Sequence, residues 1–66
     1  PMFGKVLSIE VDEEMSVRKG QTLVVLEAMK MENNIQAPHD TRVKHIAVKK
    51  GEQVSDGQLL LETYNN

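Results

Sequence analysis

An internal repeat constrains the fold of this 66-residue chain more than any other feature of its sequence. When the sequence is shifted by 37 residues, it matches itself without a gap, mostly at apolar and glycine positions. The identical pairs are Pro1 and Pro38, Val6 and Val43, Ile9 and Ile46, Val11 and Val48, Val17 and Val54, Gly20 and Gly57, Gln21 and Gln58, and Leu23 and Leu60. Since an open solenoid needs at least about three repeats, we expect the two halves to close on each other as a pseudo-twofold unit with one shared core.

The composition narrows the ways in which so small a core can be held together. Cysteine is absent, which excludes disulfides, and with only His39 and His45 as imidazoles a structural zinc site has little support. No apolar segment approaches the roughly 20 residues that span a bilayer, so we expect no direct membrane insertion. The serines and histidines form no recognisable nucleophile–base motif, and a net charge of −2 argues against general nucleic-acid binding. We therefore expect residues 1–66 to form one small domain without catalysis of its own. Because Pro1 already stands in sequence typical of a fold, we interpret the domain as excised from a longer chain.

The charges are unevenly placed along the chain. An acidic stretch contains Glu10, Asp12, Glu13 and Glu14, and a basic stretch contains Arg42, Lys44, Lys49 and Lys50. We interpret these as solvated strand ends that attract each other weakly, with a docking surface for partner proteins as the alternative.

The local pattern predicts an all-β fold. β-Branched residues stand in short segments bounded by glycine, proline or charged turns. The valine and isoleucine spacing at positions 6, 9 and 11 recurs at 43, 46 and 48, and it breaks strict alternation, so we expect a bend or bulge in each half. The turn signals are Gly4, Lys19-Gly20, Asn33-Asn34, Pro38-His39-Asp40, Lys50-Gly51 and Asp56-Gly57. The prediction is a flattened β-barrel or barrel-sandwich of two small antiparallel sheets, with about seven or eight short strands.

The segment from Leu23 to Glu32 holds an unusual lysine between two methionines. We predict two strands, about 22–28 and 31–37, with Lys30 in the hairpin turn that joins them. A short helix is the alternative, because residues 26–32 are good helix formers, but it would lack an N-cap and a counterpart in the other repeat. An amine at the tip of a tight turn is accessible to a modifying enzyme, and Met29 and Met31 offer adaptable apolar contacts. These residues alone leave an ordinary exposed lysine as an equal interpretation.

The run Glu27-Ala28-Met29-Lys30-Met31-Glu32 resembles the biotin-attachment motif of biotinyl domains. These are the biotin carboxyl carrier modules of biotin-dependent carboxylases and decarboxylases. The resemblance covers nearly all of the chain, with further similar segments at 1–6, 17–21, 37–38, 48–52 and 57–60.

The resemblance implies a function and a set of partners. Lys30 would be biotinylated by a biotin protein ligase, and the biotin arm would carry an activated carboxyl group between biotin carboxylase and carboxyltransferase sites. Met29 and Met31 would lie near the biotin, and Glu27 and Ala28 would take part in recognition by the ligase. The expected location is the cytoplasm, or the mitochondrial matrix if the source is eukaryotic.

Two other interpretations stay open. A lipoyl domain shares the fold and also presents a hairpin lysine, but that lysine usually follows an acidic residue and precedes alanine, whereas Lys30 stands between methionines. An unmodified structural or adaptor domain of the barrel-sandwich type would give Lys30 no role.

The chain also departs from the family pattern. Relatives commonly have glycine where Glu14 and Thr41 stand, and a non-glycine residue at a positive-φ turn position costs roughly 1 kcal/mol. No insertion interrupts the segment between Val11 and Leu23. The protruding thumb of some bacterial acetyl-CoA carboxylase carriers is therefore expected to be absent. The carrier looks more like those of pyruvate, propionyl-CoA or decarboxylase systems.

Overall fold

A computed structural model of the chain describes residues 3–55 and 58–64, and these residues form seven strands and no helix. The strands are β1 (Phe3–Ile9), β2 (Ser16–Val17), β3 (Thr22–Ala28), β4 (Met31–Gln36), β5 (Thr41–Ile46), β6 (Gln53–Ser55) and β7 (Leu61–Thr63). All pairings are antiparallel, so the predicted all-β fold with small antiparallel sheets is confirmed.

The two sheets are built by exchange between the two halves of the chain. One sheet has the order β4-β3-β1-β6, and the other has the order β2-β5-β7. The 37-residue shift places β1 on β5, β2 on β6 and β3 on β7. The four-stranded sheet therefore takes its end strand β6 from the second half of the chain, and the three-stranded sheet takes its end strand β2 from the first half. The strand β4 has no counterpart among the described strands of the second half.

Backbone hydrogen bonds repeat the same relation between the halves. The Val6 N–H donates to the Glu52 carbonyl at 2.9 Å, and the Val43 N–H donates to the Met15 carbonyl at 2.9 Å. The Val6 carbonyl accepts from Gly51 at 2.7 Å, and the Val43 carbonyl accepts from Glu14 at 2.7 Å. The two bonds of Val6 thus have the same geometry as the two bonds of Val43, and their partners Glu52 and Gly51 lie 37 positions after Met15 and Glu14. This agreement confirms the pseudo-twofold closure expected from the repeat.

The expected bulges occur in both halves. The ladder between β1 and β3 shifts register between Val6 and Ser8, and the ladder between β5 and β7 shifts between Val43 and His45. The buried apolar core is made of Val6, Val11, Val17, Leu23, Val24, Ala37, Val43, Val48 and Val54. Most of these residues are among the identical pairs of the 37-residue repeat, so the repeat identifies most of the core.

The turn predictions have a mixed outcome. Gly20 and Gly51 adopt φ values of +86° and +88°, as their turns require. Gly4, however, lies inside β1, and Asn33-Asn34 lies inside β4, so these two turn predictions are wrong. The Asp56-Gly57 signal lies outside the described residues.

The two departures at expected glycine positions differ in their consequences. Glu14 has a φ of +71°, the same left-handed region as its repeat equivalent Gly51, so a backbone cost is present there. Thr41 is not among the described residues with positive φ. It is 8% exposed, and its hydroxyl donates to the Tyr64 carbonyl at 2.7 Å, so no left-handed strain arises at this position.

The acidic and basic stretches meet across the surface. The Glu14 carboxylate lies 3.6 Å from the Arg42 guanidinium, and the Glu13 carboxylate accepts a bond from the Ile46 N–H at 3.0 Å. The Glu13 carboxylate also lies 3.1 Å from His45 Nδ1. These contacts fit two exposed strand ends that attract each other weakly, and the alternative of a docking surface for partner proteins stays a prediction.

Candidate functional site

The strands β3 and β4 form a hairpin whose tip is a two-residue turn, with one register shift at its far end, between Thr22 and Val24. Their pairing runs from Thr22 opposite Gln36 to Ala28 opposite Met31, which leaves only Met29 and Lys30 to reverse the chain. The predicted strands and the turn position of Lys30 agree with the structure, although β4 ends at Gln36 rather than at residue 37. The alternative of a short helix over residues 26–32 is wrong.

The turn holds both of its central residues in a left-handed conformation. Met29 has a φ of +53°, and Lys30 has a φ of +64°. Two-residue hairpin turns with positive φ at both central positions favour Asn-Gly, because these residues adopt that conformation at the lowest cost. A Met-Lys pair there carries strain of roughly 1–2 kcal/mol per residue, the kind of local cost that proteins retain at functional sites.

The base of the hairpin is fixed to the core. β3 pairs with β1 on one side and with β4 on the other, Val24 is fully buried, and Ala28 is 8% exposed. Lys30 itself is exposed, and the ion pairs within residues 3–55 and 58–64 do not involve it. The structure thus presents an accessible amine on a firmly held support.

The two methionines beside Lys30 are also exposed. Met29 is 83% exposed and Met31 is 65% exposed. Residues directly opposite each other in a ladder share a face of the sheet, so Met31 lies on the same face as the buried Ala28. The face is buried at Ala28 in β3 but remains largely open to solvent at Met31 in β4.

An open depression of 290 Å³ lies beside the turn. It is lined by Gly4, Lys5, Glu27, Ala28, Met29, Lys30 and Gln53. A side chain at Gly4 would come within 3.3 Å of the Glu27 carbonyl oxygen, so the glycine keeps β1 close to the root of the hairpin. The depression offers polar groups from Lys5, Glu27 and Gln53 next to apolar atoms of the hairpin.

The predicted site residues meet at this end of the molecule. Glu27, Met29, Lys30 and Met31 are exposed around the turn, whereas Ala28 is buried. Their roles in attachment and recognition stay predictions.

Lys5 and Gln53 were not among the predicted site residues. Lys5 pairs with Glu27 in the β1–β3 ladder, and Gln53 pairs with Lys5 in the β1–β6 ladder. No local motif indicates either residue, because Gln53 reaches the site through a strand supplied by the other half. Their position depends on the strand order β3-β1-β6, which no sequence motif at the hairpin contains.

The resolved pKa shifts concern Glu13 and Tyr64, which lie beside the three-stranded sheet rather than at the hairpin turn. The Ile46 N–H donates to the Glu13 carboxylate and, together with the nearby His45, holds its pKa below the usual range. The Tyr64 hydroxyl donates to the Glu14 carboxylate at 2.7 Å, which raises the tyrosine pKa above its usual value. The Arg42 guanidinium lies 4.5 Å from the centre of the Tyr64 ring and completes this cluster.

Among the described residues there is no group of three or more His, Cys, Asp or Glu side chains arranged to hold a metal ion. The same part of the chain contains no helix with the length and apolarity that a membrane crossing requires.

The chain is similar to segments of known carboxylases and of a decarboxylase. It is 47% identical over 60 residues to the α subunit of mitochondrial methylcrotonoyl-CoA carboxylase from Arabidopsis thaliana, covering 91% of this chain and 8% of that protein. It is 49% identical over 61 residues to pyruvate carboxylase from Aspergillus terreus, covering 92% of this chain and 5% of that protein. It is 58% identical over 43 residues to the γ subunit of methylmalonyl-CoA decarboxylase from Veillonella parvula, covering 65% of this chain and 33% of that protein.

A solved structure shows the same architecture. A single-chain, multi-domain long-chain acyl-CoA carboxylase superposes with a TM-score of 0.85 at 35% sequence identity, covering 98% of this chain and 6% of that chain. This chain thus spans only a small part of the length of these relatives, between 5% and 33%. A family model for the biotin and lipoyl attachment domain, described as "Biotin-requiring enzyme", matches residues 1–63. With this match over almost its whole length, the chain belongs to the biotin and lipoyl attachment-domain family.

Proposed function

We propose that this chain is a biotin carboxyl carrier domain in which biotin is attached through an amide bond to Nζ of Lys30. The observation that carries the proposal is the position of Lys30 in a two-residue turn at the tip of an anchored hairpin, exposed and between two exposed methionines. Family membership and the carboxylase relatives support biotin as the attached group.

The surroundings of Lys30 fit such an attachment. Its side chain is exposed, and the ion pairs of the described residues leave it out, so none of these ion pairs has to be broken before the amine reacts. A biotin protein ligase supplies the activated acyl group, and deprotonated Nζ attacks the acyl carbon while the activating group leaves. The amide removes one positive charge, which takes the net charge from −2 to −3.

The residues of the chain position the group and do no bond chemistry with it. The β3–β4 ladder keeps the attachment point at a fixed distance from the core, and the Lys30 side chain adds a flexible reach beyond it. When bound, biotin supplies a ring nitrogen that accepts and gives up a carboxyl group. Tethering raises the effective concentration of that group at each site the arm can reach.

The partners follow from this role. We propose a biotin protein ligase for the attachment, a biotin carboxylase for loading and a carboxyltransferase for unloading. Relatives carry the matching segment within much longer chains, which supports residues 1–66 as one domain of a larger protein. The proposed location is the cytoplasm or the mitochondrial matrix.

The test is attachment of biotin by a purified ligase, with mass spectrometry as the readout. The unmodified chain is incubated with biotin, ATP and biotin protein ligase, and in parallel with lipoate and a lipoate ligase. We expect one biotin per chain, located on Lys30 by peptide mapping, and little lipoate. The variant Lys30→Arg should stay unmodified, whereas Lys50→Arg, which changes an exposed lysine in another turn, should be modified like the wild type.

Three results would contradict the proposal. Lipoate attachment in preference to biotin would identify a lipoyl domain. Absence of either group under conditions that modify a known carrier would favour a structural or adaptor domain. Modification of Lys30→Arg as fast as wild type would place the site on a different lysine.

A further inference from the structure

Met29 and Met31 are unusually open to solvent for methionine. In a folded domain, methionine normally fills irregular gaps in the core. Here Met29 and Met31 are 83% and 65% exposed, whereas Met15, another methionine on the described surface, is 36% exposed. The two most exposed of these side chains therefore stand on either side of Lys30.

The exposure of this methionine pair is a result of the fold. The left-handed φ of +53° holds Met29 in the turn itself, beyond the last residue pair of the ladder. Met31 is the first residue of β4, directly after the turn, and so stands at the tip of the hairpin.

We propose that Met29 and Met31 form an oxidation site at which a peroxide converts their thioethers to sulfoxides and so slows the attachment of biotin to Lys30. This inference rests on the proposed function. A lone pair on sulfur attacks one peroxide oxygen, the O–O bond breaks, and the departing hydroxide takes up a proton to leave as water. The sulfur is oxidised by two electrons and the peroxide is reduced by two.

Oxidation changes what the hairpin presents to a ligase. A thioether offers a flexible apolar surface on each side of the reacting amine, whereas a sulfoxide places a strong hydrogen-bond acceptor there. A ligase that closes over Lys30 must then bury a polar oxygen without a partner. The change is reversible, because a sulfoxide reductase returns the thioether while two thiols become a disulfide and the oxygen leaves as water.

The oxidation itself is tested first, without any ligase. The folded chain, in a Met2→Leu background that leaves only the three methionines under study, is titrated with hydrogen peroxide and mapped by peptide mass spectrometry. We expect Met29 and Met31 to be oxidised before Met15, with the difference disappearing in urea. Oxidation of Met15 as early as the hairpin pair in the folded chain would overturn the site.

The consequence for Lys30 is tested with the peroxide-treated chain and a biotin protein ligase. We expect kcat/KM to fall about ten-fold, the size expected for one buried polar group without a partner. Treatment with methionine sulfoxide reductases should restore the rate. In the oxidation-resistant variant Met29→Leu/Met31→Leu, peroxide should leave the rate equal to that of the same variant before treatment.

The possible outcomes separate this inference from the proposed function. If the oxidised wild type is biotinylated as fast as the reduced protein, the inference is wrong while the proposed function stands. A peroxide effect of the same size in Met29→Leu/Met31→Leu would also overturn it, because the damage would then lie elsewhere. If the reduced chain is not biotinylated at all, the proposed function fails, and the order of oxidation in the peptide map is unaffected.

Discussion

Replacing Met29 by asparagine is expected to stabilise this domain. Met29 has a φ of +53°, which costs a side chain such as methionine roughly 1–2 kcal/mol and costs asparagine less. The methionine side chain is 83% exposed, so its removal loses at most about 0.5 kcal/mol of apolar burial. The net gain in the free energy of unfolding is then about 0.5–1 kcal/mol, which raises Tm by about 2–8 °C in a domain of this size.

The assay is thermal and urea denaturation of the unmodified domain, followed by far-UV circular dichroism. The matched control is Met31→Asn, which makes the same chemical change two residues later in β4, where the φ is not left-handed. It should bring no gain. Equal stability of Met29→Asn and wild type, or an equal gain in the control, would refute the conclusion that the turn is strained.

The same variant connects the strain with the proposed function. If Met29 is retained for its contact with a ligase rather than for its backbone preference, Met29→Asn should be more stable than wild type and yet a poorer substrate. A gain in stability without any loss in the rate of biotin attachment would mean that the methionine is not needed there.

Further predictions concern ionisation and the core. Tyr64 is the single tyrosine, and its absorbance titration should give a pKa above about 10, moving down in Glu14→Gln, because its hydroxyl donates to that carboxylate. Its contribution to stability is complete below the unfolded pKa and is lost as pH rises through the folded one. The pKa of Glu13 is lowered, so its contribution is present above the unfolded pKa and is lost as pH falls through the folded one. Glu13→Gln should therefore flatten the fall in unfolding free energy as the pH drops below the usual pKa of glutamate, a result that urea titrations at each pH would check. Val6→Ala and Val43→Ala should each cost about 2 kcal/mol in urea denaturation, and costs that differ by much more than about 0.5 kcal/mol would contradict the equivalence of these fully buried positions.

The repeat made much of this fold predictable from the sequence. A gapless match of apolar positions identifies the shared core, since Val6 and Val43 are both fully buried. The repeated glutamines also make equivalent contacts, because the side-chain oxygens of Gln21 and Gln58 each accept from a backbone N–H three residues earlier, at 3.1 Å. Such agreement arises because a pseudo-twofold fold imposes the same local geometry on both halves.

The turns were harder to predict because local propensity was overruled. Met29 and Lys30 are poor turn residues, while Asn33 and Asn34 are good ones, yet the chain reverses at the first pair and continues as a strand through the second. The register of the hairpin is set by burial of β3 residues such as Val24 against the core, and this fixes the turn regardless of preference. The assignment of strands to residues 22–28 and 31–37 located Lys30 correctly in the turn, where turn propensities alone would not have done so.

The site could be predicted only in its local part. Residues 27–31 are contiguous in sequence and form a recognisable motif, whereas Lys5 and Gln53 join them through strands that pair across the chain. Contacts of this kind depend on the strand order of the complete sheet, which no local pattern contains.

The most direct test of the carrier function is the modification state of Lys30 in the protein isolated from its native cells. The chain is recovered without a biotin-affinity step, digested, and analysed by tandem mass spectrometry for biotin on each of its lysines. We expect biotin on Lys30 and on no other lysine. Recovery of the protein without biotin from cells with an active biotin protein ligase, or with biotin on a lysine other than Lys30, would contradict the proposed function.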